Sequence, residues 1–372
     1  MLLGMPRFEN NRFPVDNSVS SFSSPSASGP APSAWVRYVT SVAMAAVLVV
    51  LALASPTPAV AAEGRLRVAE QFGIVYLLLN VARDQKLIEK HGKELGVDID
   101  VEWRRLSGGA AVNDALLTGA VDIAGAGVGP LFTIWDRTKG RQNVRGVASL
   151  GNFPYYLVSN NPDIKTIADF TEKDRIAVPA VGVSVQSRVL QLAASKVWGD
   201  AQFSKLDPIT VALPHPDAAA AIISGGTEIT GHFGNPPFQE QELAGNPRAH
   251  IVLNSYDVLG GPSSSTVLFA TEKFRKESPK TYQAFLLALQ EAADFASKNP
   301  EKAADTYLRV TGAKQDRSLI VNVITNPAVQ FKLKPENTLS LGTFMHKVGA
   351  IKNAPKSVND YFFDDPLTAS GS

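Results

Sequence analysis

Leu116-Leu117-Thr118-Gly119-Ala120-Val121-Asp122-Ile123-Ala124-Gly125 and Ile222-Ile223-Ser224-Gly225-Gly226-Thr227-Glu228-Ile229-Thr230-Gly231 align without a gap and match in residue type along their length. Each stretch ends a helix at a glycine able to take the left-handed backbone conformation. An acidic residue and a short apolar strand follow, and the strand runs into a further glycine. Recurrence of the whole pattern at equivalent points of the two halves points to a duplicated architecture.

Working outward, each stretch is preceded by a strand and a tight turn. These are Ile99 to Trp103 before Ser107-Gly108-Gly109, and Ile209 to Leu213 before Pro214-His215-Pro216. Further back, Arg65-Leu66-Arg67-Val68-Ala69 and Arg175-Ile176-Ala177-Val178-Pro179 alternate apolar residues at the period of a strand. The first leads through Gly73 into a helix over Ile74 to Lys90, on the stripe Leu77, Leu78, Val81 and Leu87. The second leads through Gly182 into a helix with Val185, Val189, Leu192 and Val197 on one face. Each half therefore reads strand, helix, strand, helix, strand. That alternation predicts two α/β lobes with parallel-rich sheets flanked by helices.

The last third is helical. Ser278-Pro279 opens a helix carrying Tyr282, Phe285, Leu286, Leu289, Ala293 and Ala296, and Asn299-Pro300 starts another through Leu308. Crossovers between lobes are expected near Asn152 to Tyr155 and at Gly260-Gly261-Pro262-Ser263, before a strand over Thr266 to Ala270. Residues 63–153 with 260–372 then form lobe 1, and residues 154–259 form lobe 2.

With 36 Lys and Arg against 35 Asp and Glu, the chain lacks the basic field that gathers nucleic acid. It contains no cysteine, which excludes disulfides, thiolate metal sites, cysteine nucleophiles and a lipid-modified N-terminal cysteine. Residues 1–34, rich in Ser, Pro and Asn, read as a disordered extension. In residues 35–62, Arg37, the apolar run centred on Val42 to Leu53, and Ala59-Val60-Ala61-Ala62 follow the order of a cleaved secretory signal. A retained membrane anchor is the competing reading of that run.

Open parallel sheets bind ligands beyond the carboxyl ends of their strands. The loops there supply the candidate ligand contacts: Gln71, Phe72 and Gly73; Ser107, Gly108 and Gly109; Gly127 and Val128; Gly182, Ser184 and Val185; His215; and His232, Phe233 and Asn235. Glycine permits close backbone approach, and the N–H groups of helix starts favour an anionic or polar head. Singly, these residues also serve as turns, helix caps or core. The chain carries no phosphate-binding loop, His-Glu-x-x-His or Gly-x-Ser-x-Gly motif. No catalytic residue, cofactor or metal is expected.

Several further runs carry a resemblance. They are Val101-Glu102-Trp103 leading to Ser107-Gly108-Gly109, Ala115 to Ala124, Ile167-Ala168-Asp169-Phe170 before Ile176 to Pro179, and Phe285 to Glu291 followed by Asn299-Pro300-Glu301. Through these the chain resembles the periplasmic substrate-binding proteins of nitrate/sulfonate/taurine-type ABC importers, whose relatives bind sulfonates and thiamine precursors. The resemblance implies a two-lobed, type II periplasmic-binding-protein fold. It also implies a monomer that delivers a small polar or anionic organic solute to an inner-membrane permease and ATPase by hinge closure, without catalysis. Among the contacts above, it implies Phe72, Gly73, Ser107, Gly108, Gly127, Val128, Ser184 and the region His232 to Asn235. The run Gly231-His232-Phe233-Gly234-Asn235 departs from many relatives, which carry an aromatic residue and an acid there. An enzyme on the same fold, of the thiamine-precursor or menaquinone biosynthetic type, with His215 or His232 as acid or base, is the alternative.

Overall fold

The computed structural model describes residues 63–372. The expected extension and signal sequence over residues 1–62 lie outside the described residues. Two five-stranded sheets carry the fold. The first has the order β2 (Asp100–Arg105), β1 (Arg65–Glu70), β3 (Ile123–Gly127), β10 (Ser264–Ala270), β4 (Arg145–Asn152). The second has the order β7 (Thr210–Ala212), β6 (Arg175–Val178), β8 (Ile229–Phe233), β5 (Tyr156–Ser159), β9 (His250–Asn254). The two orders superimpose strand for strand, as the repeated stretches require.

In each sheet the three strands read from the repeat are parallel, and the strand entering after a crossover is antiparallel to its neighbours. β10 runs against β3 and β4, and β5 runs against β8 and β9. Each sheet is therefore mixed in strand orientation while remaining parallel-rich. Both repeat glycines take a positive φ that side chains disfavour, Gly119 at φ 70 and Gly225 at φ 64. The acid that follows pairs with an arginine on the neighbouring parallel strand. Arg67 on β1 grips Asp122 through Nη2 at 2.6 Å and Nε at 2.9 Å, whereas Arg175 on β6 reaches Glu228 at only 3.9 Å and in solvent.

The helix expected over Ile74 to Lys90 is broken. A short 3-10 turn, Ile74–Tyr76, leads into a helix Leu77–Asp84, and a second helix runs Leu87–Glu94. Lys86, at φ 52, turns the chain between them so that Leu78 and Val81 on one side and Leu87 and Ile88 on the other all stay buried. The C-terminal segment packs back on the sheets. The helix Pro279–Lys298 lies against the helices Leu77–Asp84 and Leu87–Glu94, and Phe362 bridges to Gly146 on β4.

The two crossovers run side by side and are stitched by buried polar side chains. Ser264 Oγ donates to Asn152 Oδ1 and receives Ser149 Oγ, both at 3.0 Å. Ser265 Oγ donates to the Phe153 carbonyl at 3.2 Å, and the Tyr155 and Thr266 hydroxyls meet at 2.5 Å. Ser264 Oγ also accepts the Glu336 N–H at 2.9 Å. Ser264→Ala leaves several buried groups without a partner. It should therefore lower stability by about 1–3 kcal/mol, read as a reduced midpoint in urea unfolding.

Candidate functional site

The loops beyond the carboxyl ends of β1, β2, β3, β6, β7 and β8 meet between the two sheets. Helices beginning at Gly109, Val128, Val185 and His215 all start at this cleft. Their first N–H groups have no intrahelical partner and carry the positive end of the helix dipole. Ser184 caps one of them, its Oγ accepting the Ser187 N–H. Among the described residues, no Lys or Arg lines the neck of the cleft. Its polarity comes from backbone dipoles, hydroxyls, amides and one imidazole.

The two sheets approach closely because the chain beyond β1, β2 and β3 presents glycines at the seam. A Cβ on Gly73 would fall 2.7 Å from Asn235 Nδ2, and one on Gly127 would fall 2.7 Å from Val185 Cγ1. One on Gly108 would sit on the Pro179 carbonyl oxygen. Two hydrogen bonds cross the seam, from Asn235 Nδ2 to the Phe72 carbonyl at 3.1 Å and from the Ile74 N–H to the Pro236 carbonyl at 3.0 Å. Asn235 Oδ1 is buried without a partner.

Of the residues picked out from sequence, the structure brings Gln71, Phe72, Gly109, Gly127, Ser184, Val185, His215 and Asn235 to the neck, whose volume is about 20 Å3. Gly73 lines an adjoining chamber of about 240 Å3, which shares Gln71, Phe72 and Tyr76 with the neck. Gly108 stands at the seam, Ser107 is exposed, Gly182 is half-buried, and Val128 is buried in its helix. Phe233 is core, and His232 lies wholly buried behind His215.

Tyr76, Tyr155 and Gln186, with Pro130 and Pro179, complete the neck and are not among the contacts picked out from sequence. Tyr76 donates to the Gly125 carbonyl at 3.3 Å and is met by Gln71 Nε2 at 3.2 Å. Burial holds the Tyr76 and Tyr155 phenols well above their ordinary range, so both stay neutral. The only local signal for them was an aromatic residue just after a strand end or inside a crossover.

The chamber is walled by Phe72, Tyr76, Phe238 and Tyr307 and contains Glu70. Arg105 Nη2 meets Glu70 Oε1 at 3.1 Å, and Asn80 Nδ2 donates to Oε2 at 3.0 Å. Burial raises the Glu70 carboxyl while Arg105 opposes the rise. The neck thus offers dipolar donors, and the chamber adds aromatic surface together with the charged side chains of Glu70, Arg105 and Lys314.

Two mixed sheets joined by paired crossovers, with helix starts from both facing a common cleft, define the periplasmic-binding-protein fold. Residues 93–303 match the NMT1/THI5-like family, and the chain belongs to it. A binding protein of Brucella abortus is 25% identical over 310 residues, covering 78% of this chain and 86% of that one. Among solved structures, the alkanesulfonate-binding protein SsuA from Xanthomonas axonopodis pv. citri, bound to MOPS, aligns with a TM-score of 0.60 at 19% identity. That alignment covers 80% of this chain and 96% of SsuA. The periplasmic nitrate-binding protein NrtA from Synechocystis aligns with a TM-score of 0.55 at 16% identity, covering 70% of each chain.

On the helix Phe238–Gly245, burial pushes the Glu240 carboxyl up to about 7, against the Gln239 amide that pulls it down. In the unfolded chain it titrates near 4.5. Its contribution to stability is thus fully present below the unfolded value and is lost as pH rises through the folded one. Glu240→Gln should leave the urea midpoint nearly unchanged at about pH 4 and raise it at about pH 8.5, the reverse of the effect expected for an ion-paired carboxylate.

Proposed function

We propose that this chain is the periplasmic solute-binding component of an ABC importer and delivers a small organic anion of the sulfonate class to an inner-membrane permease and ATPase. The observation that carries the reading is the cleft itself, with helix starts from both sheets converging on a neck free of cationic side chains and opening into an aromatic chamber. An anionic head at the helix starts and an organic tail in the chamber use both features. Nitrate, with no tail, leaves the chamber unused. The relatives that bind alkanesulfonate and the wider family support the same role.

The lobes, residues 63–153 with 260–372 and residues 154–259, close about the stitched crossovers. On closure the seam glycines set how near the two walls of the neck approach. Moving the closed fraction from 1:99 to 99:1 requires a preference of about 5.5 kcal/mol for that state. Export through a signal over residues 35–62, cleaved before Glu63, brings the protein to the solute. Ser184 Oγ is engaged in capping and His215 faces Gln186, an arrangement that supports binding without turnover.

Thermal unfolding against nitrate and alkane sulfonates of increasing chain length tests the reading. At a fixed ligand concentration the stabilisation should grow with the tail, and each ligand at a hundred times its own dissociation constant should add about 2.7 kcal/mol. Phe72→Ala should weaken binding of the longer sulfonates more than that of methanesulfonate. Equal stabilisation by nitrate, or consumption of the added compound, would sink this assignment.

A further inference from the structure

Behind the lobe 2 wall of the neck, a row of polar side chains leads away from the cleft into the interior. Gln186, in the first turn of the helix Val185–Trp198, stands at the neck with its Nε2 3.3 Å from His215 Nε2. His215 Nδ1 lies 2.8 Å from His232 Nε2, and His232 Nδ1 is hydrogen-bonded to Glu242 Oε1. His215 also stacks on Phe238, the rings 5.8 Å apart at 17°. The row is dry, with His232 and Glu242 at 0% exposure and Gln186 and His215 at 5% or less.

Among the described residues, no Lys or Arg pairs with Glu242. Its Oε2 is buried without a partner. The titratable groups on the elements around it are Glu240 on its own helix, Tyr156 on β5, Asp217 on the helix His215–Ser224 and Arg317 on the helix Arg317–Thr325. Arg317 is engaged by Asp305 at 2.6 Å and Glu301 at 3.3 Å. On the neck side, His215 faces Gln186 and shares the lining with Tyr76 and Tyr155, both neutral.

A row of this kind has two self-consistent proton registers. With Glu242 ionised, His232 Nδ1–H donates to it, His215 Nδ1–H donates to His232 Nε2, and His215 Nε2 accepts from the Gln186 amide nitrogen. With a proton on Glu242, every bond reverses. Glu242 donates to His232 Nδ1, His232 Nε2–H donates to His215 Nδ1, and His215 Nε2–H points at the neck while Gln186 rotates its amide to offer oxygen. The registers differ by one proton, taken from or returned to solvent. They change the His215 edge at the neck from an acceptor to a donor.

We propose that this row is a proton switch for solute recognition: an anionic head is held only in the donor register, so uptake of the anion by the cleft is coupled to one proton at Glu242. Burial favours the uncharged register. It holds His232 down to about 3 and His215 well below its ordinary value, and it pushes Glu242 well above the carboxylate range. A raised carboxyl keeps its proton at low pH and loses it as pH rises through the folded value, so anion affinity is fully present on the acid side and lost on the alkaline side. The inference rests on the solute-binding reading for its ligand, but not for its switch.

The test has two arms. Nitrogen-15 NMR of the histidine rings, without solute, follows the His215 tautomer from about pH 5 to about pH 10. In the wild-type protein His215 should carry its proton on Nε2 at low pH and on Nδ1 at high pH. In Glu242→Gln, where the amide donates to His232 as a protonated carboxyl would, His215 should stay Nε2–H throughout. Calorimetric titration with butanesulfonate should show the dissociation constant rising about tenfold per pH unit above the transition in the wild type and staying flat in the variant. A His215 tautomer that does not change in the wild type overturns the switch without any solute and without relying on the variant's folding. A tautomer change accompanied by pH-independent butanesulfonate binding overturns the coupling. A tautomer change with no butanesulfonate binding at any pH overturns the sulfonate assignment and leaves the switch standing.

Discussion

The chain crosses between its two sheets twice, and the buried hydroxyls of Ser264, Ser265 and Thr266 tie those crossings to each other. Hydroxyls at 1–2% exposure are tolerable only when hydrogen-bonded, so this segment has little freedom to slip in register. β10 and β5 each enter a sheet directly from a crossing and lie antiparallel to the strands beside them. That arrangement leaves the carboxyl ends of the parallel strands in both sheets facing one cleft. The neck, the glycine seam and the polar row behind it all follow from this placement.

Much of the architecture was legible because it was written twice. Gly119 and Gly225 stop their helices at a positive φ, and Asp122 and Glu228 stand before equivalent strands, so local chemistry and global position agreed. What could not be read was direction. β5 and β10 are short apolar runs, and a run of Tyr156 to Ser159 looks the same whether its neighbours are parallel or antiparallel. The break at Lys86 was hidden for a related reason. Leu77 to Leu87 keeps helical spacing across the turn, so periodicity alone extends the helix through it.

The site was legible by rule and illegible in depth. Loops beyond strand ends reach the cleft in any fold of this kind, and Gln71, Phe72, Gly127, Ser184, His215 and Asn235 lie there. Nothing local says that His232, in the last turn of alternation along β8, sits one layer behind His215, or that Glu242 completes the row from a helix further on. Tyr76 and Tyr155 reach the neck only because the 3-10 turn after β1 and the first crossover converge there. Depth is a property of packing, and packing joins residues that sequence keeps apart.

A neck with no cationic side chain has a consequence for release. A full positive charge would hold an anion by a charge-assisted bond, roughly twice as strong as a neutral one, and would make handover to a transporter slow. Helix starts, phenols and an imidazole give shallower, directional attraction that depends on both walls being close, so separation of the lobes weakens every contact at once. In the proposed switch the polarity of this wall reverses at His215. Its sense is set two residues deeper, at a carboxyl that solvent does not reach. The proposed switch would thus place affinity under two controls, lobe separation and a single proton, acting at opposite ends of the same short row of side chains.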